Sequence, residues 1–417
     1  MKQEQIPDLI VIGAGPAGMT AAIRAAERGK SVIILEKGQT AGRKLLLCGN
    51  RRCNVTNAEK DPQLFVTNYM KNPKFMLSML NNYSNTDVIE FFEARGVKMK
   101  LEPGLKVFPR SNKAEDILNV LLKRLDELAV KVLYGTNADS LIIRETGDGK
   151  REIAGVKTGN GDLFGNKVLV STGGKTHQKT GSTGDGYRFA EQAGHKVIPP
   201  QKALYPFEIE NNDICGMMAG LTVDAEVTFR NISGVLHKES GSILFAEFGI
   251  TGPVMINASL YVARSQMSGL SLFVNYFPGM GELNVETVLI NAVRQNPNRN
   301  TDNLLEGVLP ASLVPVVIKL SGVPASKKAN QLTAEERKKL VKQLTAMEFI
   351  VCKYVNVNKS VATDGGVDLK ELDNRTLESK LVKGLYFSGE VIDVIGKTGG
   401  FNLQAAWSTG WTVGDMV

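Results

Sequence analysis

The sequence predicts an α/β protein: a Rossmann-like dinucleotide-binding domain interrupted by an inserted α+β domain. Three observations predict it. Residues 8–37 carry a strand, a glycine turn, a helix and a second strand. Residues 384–411 carry another strand, a Gly-acid pair and a helix. Between them, from about 200 to 354, the pattern follows a different plan.

The first unit reads DLIVIGAGPAGMTAAIRAAERGKSVIILEK. The apolar run Leu9 to Ile12 enters Gly13-x-Gly15-x-x-Gly18, and the run Val32 to Leu35 ends on Glu36. Gly13 permits a tight turn, Gly15 lets a pyrophosphate approach the backbone, and Gly18 lets the helix pack on the strand. The helix N-terminus presents free N–H groups and partial positive charge to phosphates. Glu36 stands where a carboxylate accepts hydrogen bonds from a ribose 2′-OH. The bland alternative is a glycine turn without ligand. Strand, helix, second strand and acid in register favour a dinucleotide.

The C-terminal unit reads GLYFSGEVIDVIGKTGGFNLQAAWSTGW. Leu385 to Phe387 form a strand leading to Gly389-Glu390, and a glycine-rich turn leads to Asn402 and a helix of small residues. Paired with an N-terminal Rossmann unit, this is how flavoproteins of the two-dinucleotide-fold type hold FAD. The acid takes the ribityl chain, and the helix N-terminus faces the flavin pyrimidine, a dipole contribution of about 1 kcal/mol. Asn402 suits the N-cap.

Between the two units, residues 86–95 and 113–128 show helical spacing of apolar residues. Residues 130–134, 141–144, 153–158 and 163–170 read as strands, the last leading into Thr172-Gly173-Gly174. Pro199-Pro200 marks a boundary. Beyond it, 221–229 alternates as a half-buried strand does, 242–264 runs from a strand through GITGP into a helix, and 270–277 is a strand. Helices come next at 284–296, 310–321 and 333–348, the last opening on the capping box Thr333-x-x-Glu336. The expected domains are 1–199 and 355–417 for the cofactor and 200–354 for the insert.

Composition narrows the class. At 417 residues the chain needs two or more domains. No apolar stretch reaches the roughly eighteen residues of a membrane span, and the early run is broken by Gly13, Gly15, Pro16 and Gly18. A cytoplasmic protein without membrane contact is expected. Four cysteines form neither a disulfide framework nor a zinc pattern, and three histidines make a metal site improbable, so none is expected. The net charge of +7 is modest for this length, so nucleic acid is not expected as a partner.

Further segments carry a resemblance: GRKLL (42–46), RCNVTN (52–57), VFPRSNKA (107–114), STGG (171–174), TGSTGDGY (180–187), LFAEFGITGP (244–253), DGGVDL (364–369) and 378–410. With GAGPAG (13–18) they make the chain resemble, end to end, the BaiN/YhiN-like bacterial family of NAD(P)/FAD-dependent oxidoreductases, which includes proteins described as aminoacetone oxidase family FAD-binding enzymes and 3-dehydro-bile-acid reductases. The resemblance implies that the insert is part β-barrel and part small helical bundle. It implies non-covalent FAD held by Gly13, Ala14, Gly15, Pro16, Ala17, Gly18, Glu36, Lys37, Arg43 and Lys44. It extends the contacts to Cys48, Gly49, Asn50, Cys53, Asn54, Thr172, Gly173, Gly174, Gly389 and Glu390. The turn Gly399, Gly400, Phe401, Asn402, Leu403 and Gln404 completes them. There are departures. Cys48-Gly49-Asn50-Arg51 replaces a glycine run with a serine, and Ala246-Glu247 stands where many members have Thr-His.

The chemistry expected is hydride transfer through flavin N5, from NAD(P)H bound transiently to a small-molecule acceptor with an activated C=C, such as a conjugated enone. The segment 180–194 also resembles one in fumarate reductase flavoproteins, which fits that acceptor class. An oxygen-using oxidase of small amines or aminoketones is the alternative. A further one is an FAD-containing RNA-binding or RNA-modifying protein, prompted by pI ≈ 9.0 and the basic 333–348 helix. Candidate catalytic residues are Arg110, for a carboxylate or carbonyl; Tyr205, as proton donor; Glu247, just before the GITGP turn (249–253); and Thr251 within that turn, which can also cap the helix after it. An ion pair for Arg110 and a half-buried barrel position for Tyr205 are the bland readings. Cys48 and Cys53 stand near the position of a disulfide-reductase pair. The second nucleotide domain and C-terminal histidine of such enzymes are missing, so they read as loop thiols.

Overall fold

Leu9–Ile12 (β1) is buried along its whole length, as a central parallel strand must be. A computed structural model of the chain describes residues 6–210, 212–262, 269–352 and 360–417. In it the chain forms two units, Met1–Lys202 with Val361–Val417, and Ala203–Ser360. The boundary expected at 354/355 falls outside the described residues.

In the first unit β1 is followed by α1 (Pro16–Glu27), β2 (Val32–Glu36), β3 (Lys131–Tyr134) and β4 (Lys167–Val170). After the interruption come β5 (Leu385–Phe387) and α2 (Phe401–Met416). The strands make one parallel sheet in the order β5-β4-β1-β2-β3. Ile12 pairs with Val170 and Leu35, and Phe387 with Val170, so three strands end level. Each runs into a turn with a glycine at positive φ: Gly13 (+103°), Gly173 (+74°) and Gly389 (+75°). Ligands of open α/β sheets bind outside this edge.

Two differences from the sequence pattern have local causes. Residues 163–170 are not one strand. Gly161–Phe164 belongs to an antiparallel meander with 138–145 and 151–158, while Lys167–Val170 joins the parallel sheet. The chain turns at Gly165, where a Cβ would stand 2.6 Å from Ile10 Cδ1. Pro199 and Pro200 lie inside the strand Val197–Ala203, which pairs with Ala362–Val367 in a two-stranded sheet. Edge strands tolerate proline because no ladder donor is needed there.

The second unit has its own core, including Phe207, Phe229, Phe245 and Phe349. Its antiparallel sheet runs in the order 207–208, 249–251, 234–246, 222–231, 271–275, 347–350. Ile209 pairs with Val351, Glu210 N–H donates to Ile350 O (2.9 Å) and Cys352 N–H to Glu208 O (2.8 Å), so the edges meet as a barrel. Helices 282–295, 301–305, 314–321 and 334–345 pack beside it. The helix expected over 333–348 starts at its capping box but stops at Thr345, because Met347–Ile350 pairs as a strand. That expected over 310–321 starts at Val314, with Pro315 in its first turn.

The contact that closes the first unit is α1 against α2. A Cβ on Gly410 would overlap Ala17 O, and one on Gly414 would overlap Ala21 O. Gly410→Val therefore has to push the helices apart, and overpacking of this kind costs about 1–3 kcal/mol. Urea unfolding should show that loss; an unchanged midpoint would mean the helices are not held this closely.

Candidate functional site

The three glycine turns open on a cavity of about 210 Å³ within the first unit. Gly13 to Ala17, Leu35 to Lys37, Arg43, Lys44, Cys48, Thr172, Gly173, Gly389, Glu390, Asn402 and Leu403 all line it. Gly15 is the open point of the wall. Its backbone (φ −86°, ψ −178°) suits any residue, and a Cβ there would meet nothing within 4 Å. The missing side chain leaves space, not turn freedom, at the N-terminus of α1. Gly18 is the opposite case: its Cβ would overlap Gly13 O and stand 2.6 Å from Ser171 Oγ, so it serves helix–strand packing.

At one end stands Glu36. Its Oε2 accepts from Ala14 N–H (3.0 Å) and its Oε1 from Gly38 N–H (2.7 Å). Thr136, Asn137 and Ala138 line the same end, and sequence reasoning missed them. The signal lay in topology: Glu36 pairs with Tyr134 on β3, so the residues just after β3 fall beside the acid. Lys37 is engaged by Asp185 (2.6 Å) and Thr183 (2.7 Å), and Arg43 donates to Lys179 O. Thr180, Gly181, Ser182 and Asp185, from the TGSTGDGY segment, also line the cavity.

At the other end stands Glu390. Lys44 Nζ donates to its Oε2 (2.6 Å) and to Thr176 Oγ1 (2.9 Å). Gly174 N–H reaches Oε2 (3.3 Å) and Thr363 N–H reaches Oε1 (2.8 Å). Burial alone would push this carboxyl up. The Lys44 charge and these hydrogen bonds outweigh it and hold the group below the ordinary glutamate range. Thr172 Oγ1 is buried without a hydrogen-bond partner among the described residues, a spare polar group in a residue of the cavity wall.

Asn402 is not the N-cap. Gly400, at φ +100°, precedes the helix, and Asn402 in its first turn accepts from Gly396 N–H (2.9 Å) and donates to Gly396 O (2.8 Å). Gly400 takes the cap because its Cβ would overlap the Thr56 backbone.

Other expected contacts lie behind the wall. Phe401 packs edge-on against Phe65 and Tyr69, and Gln404 bonds Thr56, Tyr83 and Ser408 in the core. Gly174 and Gly399 are not in the wall; Asn57 Nδ2 donates to Gly399 O (3.2 Å). The Asn54 amide sits against Thr56 O, Val107 O and Gly400 N–H, tying its loop to the start of α2. Gly49 and Asn50 are exposed. Cys48 and Cys53 are free thiols. Burial pushes Cys48 up to about 11 and Cys53 well above the ordinary range, so neither is an activated thiolate at neutral pH.

The four catalytic candidates do not line this cavity. Arg110 is exposed at the end of strand 106–109. Tyr205 is 2% exposed, packs on Phe207 in the second core, and burial pushes its phenol up to about 12. Glu247 is exposed at the turn between strands 234–246 and 249–251. Thr251 ends the latter strand, paired with Leu244; the helix opens at Pro253, so Gly252 and not Thr251 precedes it. Among the described residues no group of three or more His, Cys, Asp or Glu is placed to hold a metal. No helix among them is long and apolar enough to cross a membrane.

A family model described as HI0933-like protein Rossmann domain matches residues 7–416. A 3-dehydro-bile acid delta(4,6)-reductase of Clostridium scindens is 29% identical over 413 residues, 97% of each chain. A ribosomal RNA dihydrouridine synthase of Escherichia coli is 30% identical over 406 residues, 97% of this chain and 96% of its own. The solved structure of a 3-ketosteroid-delta4-(5alpha)-dehydrogenase from Rhodococcus jostii RHA1 superposes with a TM-score of 0.54 at 13% identity, covering 99% of this chain and 98% of that one, a likeness of fold alone. The expectation that nucleic acid is no partner is not supported, since a relative this similar bears the name of an RNA-modifying enzyme.

The Lys44–Glu390 pair yields a signed pH prediction. With its carboxyl lowered in the fold, Glu390 contributes stability that is present above the unfolded-state value and lost as pH falls through the folded one. Lys44→Met removes the cation and leaves burial dominant. The variant should be less stable at pH 7 by about 1–3 kcal/mol, and the deficit should shrink as pH falls from above the ordinary glutamate value of about 4.3 toward the lowered wild-type one. Thermal melts across pH check this; a deficit independent of pH would mean the two groups are not coupled.

Proposed function

The chain belongs to the HI0933-like Rossmann-domain family, and from that premise we propose that it is an FAD-dependent reductase of a carbon–carbon double bond conjugated to a carbonyl. The observation that carries the cofactor is the cavity itself. It has the open space at Gly15, Glu36 at one end, Glu390 and the start of α2 at the other, and the spare Thr172 hydroxyl. These residues fit a dinucleotide with a flavin. The α1 N-terminus would take the pyrophosphate, Glu36 the adenosine ribose, and Glu390, kept ionised by Lys44, the ribityl hydroxyls. When bound, FAD supplies hydride at N5, replenished by NAD(P)H.

The acceptor class is supported by what the two relatives' names share. A delta(4,6)-reductase of a 3-dehydro-bile acid saturates alkenes conjugated to a ketone. A dihydrouridine synthase saturates the C5=C6 bond of uracil, conjugated to the C4 carbonyl. Conjugate reduction of either bond would add hydride to the carbon remote from the carbonyl and a proton to the near one. The Escherichia coli relative, matched over 97% of this chain, supports the uracil ring of RNA as substrate; the steroid-type enone is the second reading, supported by the Clostridium relative. The protein's part is binding, orientation and proton control.

The test is the FAD-loaded protein with NADH or NADPH, offered an unmodified ribosomal RNA transcript or a 3-keto-Δ4 steroid. Dihydrouridine in the transcript is expected. Peroxide formed with no acceptor consumed would instead favour an oxidase. A second prediction isolates the cofactor. Gly15→Ser keeps a residue that suits the N-cap and whose Cβ has no protein atom within 4 Å, so apoprotein stability should stay within about 0.5 kcal/mol. FAD affinity, read by flavin fluorescence, should fall by about tenfold or more, since the hydroxymethyl occupies ligand space. Unaltered affinity would move the pyrophosphate elsewhere.

A further inference from the structure

The chain's net charge is unevenly placed. Residues 203–360 hold 14 Lys and Arg against 14 Asp and Glu, while the remainder holds 36 against 29. The whole excess therefore lies in the unit that contains the cavity. Within it, segments 43–60 and 98–113 hold ten basic residues and two acidic ones.

The fold joins these segments into one lobe. Strand 56–57 pairs with 106–109, which pairs with 99–102. Val55 N–H donates to Val107 O, Arg110 N–H to Lys98 O, and Ala114 N–H to Arg51 O. The Arg52 guanidinium lies 4.2 Å over the Phe108 ring. One of the two acids, Glu102, is shared by Arg52 and Lys100, each at 2.9 Å. Arg51, Lys98, Arg110 and Lys113 are exposed and make no ion pair among the described residues.

The lobe reaches the cavity through residues 48–54. Cys48 lines the cavity; Gly49, Asn50, Arg51 and Cys53 all hold positive φ. Three of those are not glycine, and such backbone persists only where its surroundings fix it. The bonds from Ala114 to Arg51 and from Cys53 to Cys48 do so here. The loop thus runs, in a set conformation, from the cavity wall to the outward Arg51.

We propose, taking the reductase reading as given, that this lobe is the docking surface for an RNA strand, whose phosphates meet Arg51, Lys98, Arg110 and Lys113 beside the cavity. Several exposed, unpaired cations spread over a sheet and loop suit a repeated phosphate backbone, not a single enclosed anion. The basic helix 334–345 of the insert is a poorer surface. Its Lys339 is paired with Glu335 (3.1 Å), and its unit is charge-balanced.

The experiment uses FAD-loaded full-length protein and a fluorescent, unmodified ribosomal RNA transcript, with anisotropy read over a salt series. Arg51→Gln/Lys98→Gln/Lys113→Gln should bind about tenfold more weakly near 0.1 M salt, with a log–log salt slope shallower by about 2. Its flavin content and its reduction rate by NAD(P)H should match wild type. Lys338→Gln/Lys339→Gln/Lys342→Gln should bind RNA as wild type does. Unchanged RNA affinity in the lobe variant, equal loss in the helix variant, or wild type preferring phosphatidylglycerol vesicles to RNA would each overturn the proposal. Failure of the reductase reading would look different: lobe-dependent RNA binding with no dihydrouridine formed.

Discussion

The backbone of the last helix rests directly on that of the first, with Gly410 against Ala17 and Gly414 against Ala21, and the cavity exists because of it. No side chain separates the two helices at these points. The segment after the insert thereby returns to the glycine turn at 13–18. That return sets β5 beside β4 and carries Glu390 to Lys44. Each end supplies part of a cavity wall that neither could form alone. The interruption between them is tolerated because the second unit closes its own barrel and core.

Much of this was legible in the sequence where the signal is local. Leu9 to Glu36 is one contiguous βαβ unit, and each of its glycines has a distinct physical task that the structure separates: turn at Gly13, open space at Gly15, packing at Gly18. The Thr333 capping box likewise announces its helix. The parts that were not legible depend on pairing between distant segments. Thr136 to Ala138 reach the cavity only because β3 lies beside β2. Residues 163–170 read as one strand because apolar alternation does not register the turn at Gly165. The helix expected to 348 yields to a strand because Met347–Ile350 finds a barrel partner in 271–275. Asn402, a good cap by residue type, loses that position to Gly400, which alone fits against Thr56.

Charge shows the same limit. A net +7 over 417 residues is unremarkable as a sum. Divided by fold unit it becomes a neutral insert and a basic cofactor unit, with the excess gathered by strand pairing around residues 43–60 and 98–113. The two relatives' names point to chemically equivalent double bonds on very different molecules. On the proposed reading, one reaction serves both molecules, and recognition falls to surfaces outside the cavity.

The central claim is that FAD occupies the cavity between Glu36 and Glu390, and a crystal structure of the protein purified with FAD tests it most directly. The account predicts adenosine ribose on Glu36, pyrophosphate over Gly15, ribityl hydroxyls at Glu390 and the flavin pyrimidine at the start of α2. Electron density for the cofactor elsewhere, or a protein that takes up no FAD while this cavity stays intact, would contradict it.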